Sequence, residues 1–517
     1  VTMGSIGTSS AVGVSGTTEI GNTSTAAIAL TGVDYNTTGS QKYSATGGSN
    51  ITISGSEADF STVSQNIEFD NSGVTLASND TILVTTGSSG GSVTFDGVVD
   101  GNDTTVNDGL KVISGSGAAT FTGAVGGTHE LDQLFVNQQD DGVGTGAITF
   151  SAAIGATGQT GVVGTTAIGN ANTTKITFSN GTLKFTGATT FRASDSVDSD
   201  DANIEIAAAT TIATTQGSFT VTGSKLDLDD GANLTVNSGG GAIVISGIEG
   251  NDDETVTITA NGTGAKTVSI GAIGDSDHSM IHDVSITGDG GITLTGNIEL
   301  ATDADDGGSE RAVLTFADKI IIDGAVSIDV DDSDANDGDI TFTDGIDGTG
   351  GTGDNLTIES GSRVLSLVAI GQTTALDQLT VNPAGAGAIT IDGNIGKGGV
   401  DATTVGVTGA TAIGNSNTAS LDLGAAIYKF GGTLTVITDG GGGANDVEIT
   451  FDGTNPVIST SGDNVSITGG DIALGNGANL TINTNINNAA TDGGDITIGT
   501  GINADSAESL TLDASTG

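Results

Sequence analysis

Apolar residues fall at every second position in short runs along nearly the whole chain, and this period of two limits the fold more than any other feature. Leu183/Phe185, Phe219/Val221, Leu234/Val236, Ile292/Leu294, Ile320/Ile322 and Val326/Ile328/Val330 are examples. Such alternation marks strands with one buried and one wet face. The residues between are mostly Thr, Ser and Asp, which suit the outer face. Each run of about four to six residues ends at Gly, Asn or Asp, which tolerate the left-handed backbone of tight turns. No stretch carries a helical period, and even 205–216 is rich in Thr and Ile and reads as strand. The chain is predicted to be all-β.

Strands spaced about 8–13 residues apart fit either a sandwich or a solenoid. Three features favour the solenoid. The apolar residues are small and branched with few aromatic anchors, which suits a thin interior of stacked layers. The 86 glycines suffice to turn a corner after each short strand. Above all, the chain repeats itself. Leu131-Asp132-Gln133-Leu134-Phe135-Val136-Asn137 returns 245 residues later as Leu376-Asp377-Gln378-Leu379-Thr380-Val381-Asn382. Thr166-Ala167-Ile168-Gly169-Asn170 returns at the same separation as Thr411-Ala412-Ile413-Gly414-Asn415, with a more distant copy at Thr18-Glu19-Ile20-Gly21-Asn22. Ala147-Ile148-Thr149 matches Ala388-Ile389-Thr390 at 241, so four-residue slips occur and cancel, as insertions in turns between coils do. A second block pairs Val93-Thr94-Phe95 with Leu110-Lys111-Val112. It returns as Ile340-Thr341-Phe342 with Leu356-Thr357-Ile358, and again as Ile496-Thr497-Ile498 with Leu510-Thr511-Leu512. The expectation is one continuous solenoid over 1–517, in coils of about 20–30 residues. Its super-units are 1–147 (partial), 148–388 (full) and 389–517 (partial).

Charge narrows the function classes. With 12 Lys+Arg against 63 Asp+Glu the net charge is −51, which repels nucleic acid and anionic membrane surfaces. There is no Cys for disulfides or thiolate metal sites. No run of about 18 apolar residues spans a bilayer, and the strict Gly-X-Y period of collagen is absent. Strong charge and scarce aromatics are marks of disorder, but the 35% apolar fraction is concentrated in the alternating runs.

The phrasing of 361–371, followed by 376–382 and 388–396, resembles the filamentous-haemagglutinin-like repeats of very large bacterial surface proteins. That resemblance implies a right-handed parallel β-helix at the bacterial cell surface, serving as adhesin shaft, stalk or filament subunit. The expected partner is a further stretch of array or a second copy stacked end to end, because Val1-Thr2-Met3 corresponds to Ile389-Thr390-Ile391 and 510–517 to 356–363. Host-surface or matrix glycans are the expected adhesive targets.

Acidic clusters at 195–205, 249–254, 303–310 and 329–339 are the candidate ligand sites. The last contains Asp332-x-Asp334-x-Asn336, close to the alternating oxygen spacing of calcium loops, although its Gly338 comes one place late and Thr343 stands where a Glu belongs. Asp332, Asp334 and Asn336 are the candidate calcium ligands, and the fold itself requires no cofactor. The alternative is a solvated acidic loop that keeps the chain soluble. His278 and His282 share the spacing of zinc ligands, but in a Ser/Asp-rich turn that spacing loses its helical meaning. Asn170, Asn172, Asn297, Asn394, Asn415 and Asn417 stand in turn phrases, where they either stack into amide ladders or serve turns of positive φ.

Catalysis is the competing class, since β-helices also house glycan hydrolases and lyases. Lyases of acidic sugars need Lys or Arg, and Arg192, Arg311 and Arg363 are the only arginines and are far apart in sequence. Sugar sites favour aromatic platforms, and the chain has no Trp and only Tyr35, Tyr43 and Tyr428. No catalytic residue is assigned. A third class, ice or mineral binding, rests on outward Thr residues such as Thr255-x-Thr257-x-Thr259 and Thr293-x-Thr295, which any wet strand face also prefers.

Overall fold

The computed structural model describes residues 1–514, except 49, 103–106, 139–143, 195–202, 252, 275–280, 301–310, 332–336, 383, 398–403, 441–446, 476, 487–492 and 505–507. Among the described residues every regular element is a strand. The chain divides into two compact units, Val1–Lys266 and Thr267–Gly517. Each is a parallel β-solenoid.

Three columns of strands build the first unit. One runs through Gln41–Ser44, Ile67–Asp70, Val93–Phe95, Ala119–Phe121, Ile148–Phe150, Ile176–Phe178, Ile204–Ile206 and Leu226–Leu228. The second includes Thr81–Thr85, Gly109–Ile113, Leu134–Val136, Thr166–Ile168, Thr189–Arg192 and Phe219–Thr222. The third includes Ile28–Leu30, Ile51–Ile53 and Val74–Leu76 low in the unit, and Thr182–Phe185, Thr210–Thr214 and Leu234–Ser238 further along. The second unit is built alike, with one column formed by Asn355–Glu359, Gln378–Val381, Thr411–Ile413, Leu434–Ile437, Val465–Thr468 and Ile496–Ile498. One coil spans 22 residues from Ile204 to Leu226 and 32 from Leu134 to Thr166, so the longest coils exceed the expected span. Among the described residues antiparallel pairing is limited to Gly7–Thr8 against Ala11–Val12 and to the single bridges Ala156–Gln159, within a local turn, and Ser461–Asn485, between coils.

The predicted alternation is realised strand by strand: Val93 and Phe95 are buried while Thr94 between them is half-exposed. The interior differs from expectation in one respect. The few aromatics are not scattered but stacked. Phe69, Phe95, Phe121, Phe150 and Phe178 occupy the same position in successive coils, with centroids 4.9, 5.1, 4.6 and 5.5 Å apart and planes within 12° of parallel. Strand spacing of about 4.8 Å places identical rings in stacking contact without adjustment. Tyr35, Tyr43 and Tyr428 are buried as well. Tyr35 and Tyr428 each accept a backbone N–H three residues upstream and donate to a carbonyl one coil away.

The slips are located in turns. Val136 and Val381 stand 245 apart, Ile148 and Ile389 stand 241 apart, and the difference lies in the turns that follow Asn137 and Asn382. Both asparagines hold φ near 48°, and each accepts the N–H of a Ser one coil below, Ser114 or Ser360, on its Oδ1. The third copy of the second block is not equivalent in space to the second. Ile496 stacks on Val465, in the column that contains Leu356 rather than that of Ile340, and Leu510 stacks on Leu480. Three-residue strand phrases are too short to say which face they join.

The repeated Gly-Asn corner resolves the two readings of the turn asparagines in a third way. Gly169 and Gly414 take positive φ, and a Cβ on either would lie 2.1 or 2.4 Å from the carbonyl oxygen of the next coil. The following Asn170 and Asn415 do not take positive φ and do not form an amide ladder. Their Nδ2 groups donate to backbone carbonyls of the previous coil, Asn137 and Gly144 in one unit and Asn382 and Gly385 in the other. Their Oδ1 atoms accept the N–H of Asn172 and Asn417. Asn297 and Asn394 likewise accept N–H groups one coil on, from Ser327 and Ile427. These asparagines therefore cross-link coils through the main chain.

Candidate functional site

Outward carboxylates come into register because the coils do. In the first column of the first unit, Glu205, Asp227 and Glu249 occupy the same outward position in three successive coils. The outer two are paired, Glu205 with Lys175 at 3.0 Å and Glu249 with Lys225. Asp227 stands between them. Burial, followed by repulsion from Asp229, Glu249 and Glu205, pushes its carboxyl up to about 6. Burial pushes Glu205 up too, but hydrogen bonds from Thr177 and Lys175 outweigh it and leave the group below its ordinary value.

Lower in the same column, oxygens of Glu68, Asp70 and Asp96 lie within 4.8 Å of one another. Lys42 bridges Glu68 at 3.2 Å and Asp70 at 3.0 Å. Ser44 donates to Asp70, whose net shift is downward because Ser44, Lys42 and Asn71 together outweigh burial. Asp96 moves upward, through burial and then the proximity of Asp70 and Glu68. It borders an open groove of about 600 Å³ lined also by Gly48, Asn71, Ser72 and Thr128.

A third group borders the loop singled out from the sequence. Asp332, Asp334 and Asn336 themselves lie outside the described residues, as do 195–202 and 303–310 of the other acidic clusters. Asp337 is buried and receives the N–H and hydroxyl of Ser362. Glu359, also buried, accepts the N–H groups of Gly361 and Ala384, yet burial still raises its carboxyl. Asp331 is raised by burial and by Asp337. Asp339 is neutralised by Arg363, with Nε at 2.8 Å.

Other candidates separate. His282 places Nδ1 3.0 Å from Asp283, while His278 lies outside the described residues. Thr257 is in register with Thr235, Thr211 and Thr182, but the neighbouring rank behind Thr259 is Asn237, Ala213 and Lys184. Above Thr293 stand Ile321 and then Asp347, so no hydroxyl rank forms there. A second rank of four, Thr94, Thr120, Thr149 and Thr177, went unpredicted because its members are 26 to 29 residues apart and become neighbours only through the register. The Glu205–Asp227–Glu249 rank was missed for the same reason. No helix among the described residues is long and apolar enough to cross a membrane. Compared with protein-family models, curated proteins and solved structures, the chain matches none of them.

Proposed function

We propose that this chain is a mechanical element, a β-solenoid shaft of a bacterial surface adhesin or filament, with no catalytic role. The observation that carries the reading is the parallel stacking of coil on coil within each unit, in which inward positions are filled by aliphatic and stacked aromatic side chains. Such an array gains stability with each added coil and presents a surface set by outward residues alone. The similarity of its phrasing to filamentous-haemagglutinin-like repeats supports an extracellular setting. Its partner is a further stretch of array or a second copy, and glycans are the adhesive target. The burial of all three tyrosines weighs against a sugar-cleaving groove, because it withdraws them as outward platforms for a ring.

Calcium or another hard divalent cation is a second part of the proposal, favoured by the Glu205–Asp227–Glu249 rank, where stacked carboxylates repel. Electron microscopy tests the mechanical role: narrow unbranched particles of uniform width are expected. Incubation with a glycan panel and a reducing-end assay tests the alternative. Turnover that disappears on replacing one carboxylate pair overturns the reading.

A further inference from the structure

Among the described residues, two turns hold an asparagine whose side chain is free in solvent beside a glycine whose N–H is unengaged. Asn180 is exposed and precedes Gly181, at the entrance to Thr182–Phe185. Asn261 is exposed and precedes Gly262, in a turn where residues 261–265 are all exposed. Among the described residues neither asparagine side chain makes a hydrogen bond, and neither glycine N–H donates one. Both glycines are demanded by the fold. A Cβ on Gly181 would stand 2.2 Å from the carbonyl oxygen of Ala209, and one on Gly262 the same distance from that of Gly239. Close packing between coils thus fixes, next to each exposed amide, the one residue without a Cβ to hinder attack by its own nitrogen.

We propose that Asn180 and Asn261 are sites of spontaneous covalent modification. The glycine backbone nitrogen attacks the asparagine Cγ. The N–Cγ bond forms, the Cγ–Nδ2 bond breaks, and Nδ2 leaves as ammonia with the proton lost from the glycine nitrogen. Solvent water then opens the five-membered imide at either carbonyl, giving aspartate or its β-linked isomer. No oxidant or reductant is needed. Each event turns a neutral amide into a carboxylate, and the β-linked product lengthens the main chain by one carbon at a coil corner.

The two sites differ in restraint. The Gly181 carbonyl accepts the Thr211 N–H at 2.8 Å, which ties that turn into the next coil, whereas Gly262 makes no backbone hydrogen bond. Asn261 is therefore the faster site. Asn172 is the internal control. It is equally exposed and its side chain makes no hydrogen bond, but the β-branched Thr173 follows and donates its N–H to the Asn170 carbonyl.

The purified chain is incubated at neutral pH in heavy-oxygen water, and peptides are mapped by mass spectrometry with time. Label is expected first at Asn261 and then at Asn180, with Asn172 slower than Asn261 by about tenfold, as the missing Cβ dictates. In denaturant Asn180 is expected to speed up towards Asn261. Equal rates at Asn172, Asn180 and Asn261, or no label at the two glycine-flanked sites, overturn the proposal. An Asn261 rate that rises more than about tenfold on unfolding also overturns it, because the folded turn would then protect the amide.

Discussion

The stacked phenylalanines offer the sharpest test of the interior. Phe121 is fully buried, with Phe95 at 5.1 Å on one side and Phe150 at 4.6 Å on the other, both nearly parallel to it. Phe121→Leu retains most of the volume and removes two stacking contacts, at about 0.5–1.5 kcal/mol each, so a loss of roughly 1–3 kcal/mol is expected. Phe121→Ala adds a cavity between coils and is expected to cost about 3–5 kcal/mol. Phe135 provides the control, because it points outward from Leu134–Val136 and is half-exposed; its Ala variant is expected to cost under about 1 kcal/mol. Urea unfolding gives the totals. Because coils couple chiefly to their neighbours, hydrogen exchange adds a local reading: protection should fall first in Val93–Phe95 and Ile148–Phe150. If Phe121→Ala costs no more than Phe135→Ala, or exchange rises evenly over the whole chain, the stacked column is not what holds these coils together.

Further outcomes follow from the corners and the carboxylates. Asn170→Ala removes two hydrogen bonds to the previous coil from a buried amide and is expected to lower stability by roughly 2–3 kcal/mol in a denaturant titration, with Asn415→Ala similar. Gly161→Ala sets a Cβ 2.4 Å from the Gly155 nitrogen across the neck of a local hairpin; a loss of about 1–3 kcal/mol is expected by the same titration. Calcium is expected to raise the melting temperature at neutral pH and a chelator to reverse it, with a smaller gain in Asp227→Asn; superimposed melting curves would remove the cation from the account.

Much of this architecture was legible in the sequence, for a physical reason. Alternation encodes which side of a strand faces inward, and a coil of this kind has no other inside. Val326, Ile328 and Val330 are buried as the pattern requires. The 245-residue period likewise carries backbone detail, since Asn137 and Asn382 share one left-handed conformation. Register was not legible. Which residues become neighbours depends on coil length, and coil length varies in loops that have no pattern of their own. Hence Thr94, Thr120, Thr149 and Thr177 form a rank that no linear motif announces, and Ile496 joins a different column from the one its phrase suggests. The turn asparagines show a further limit: the sequence marks them as turn residues, but only the coil below supplies the carbonyls they bind.

Register also sets how the chain answers to pH. The Asp227 carboxyl, raised to about 6 from its ordinary 3.8, binds its proton more tightly folded than unfolded. Its contribution to stability is therefore complete below the unfolded value and is lost as pH rises through about 6. The displacement corresponds to about 3 kcal/mol undiscounted, which screening at a half-exposed site reduces to roughly 1 kcal/mol. Asp70, Asp347 and Asp354 act in the opposite sense. Burial raises each, but hydrogen bonds from Ser44 and Lys42, from Lys319 and Thr373, and from Gly324 and Thr349 outweigh it, so their contributions are lost as pH falls below the ordinary carboxylate range. The two trends leave a stability maximum in mildly acidic solution, between the carboxylate range and the raised Asp227 value. Melting temperatures measured across this interval should rise on acidification from neutral and then fall. In Asp227→Asn the first rise should shrink while the later fall stays. A rise that survives the substitution unchanged would show that the carboxylate rank, and so the register that builds it, does not govern the response.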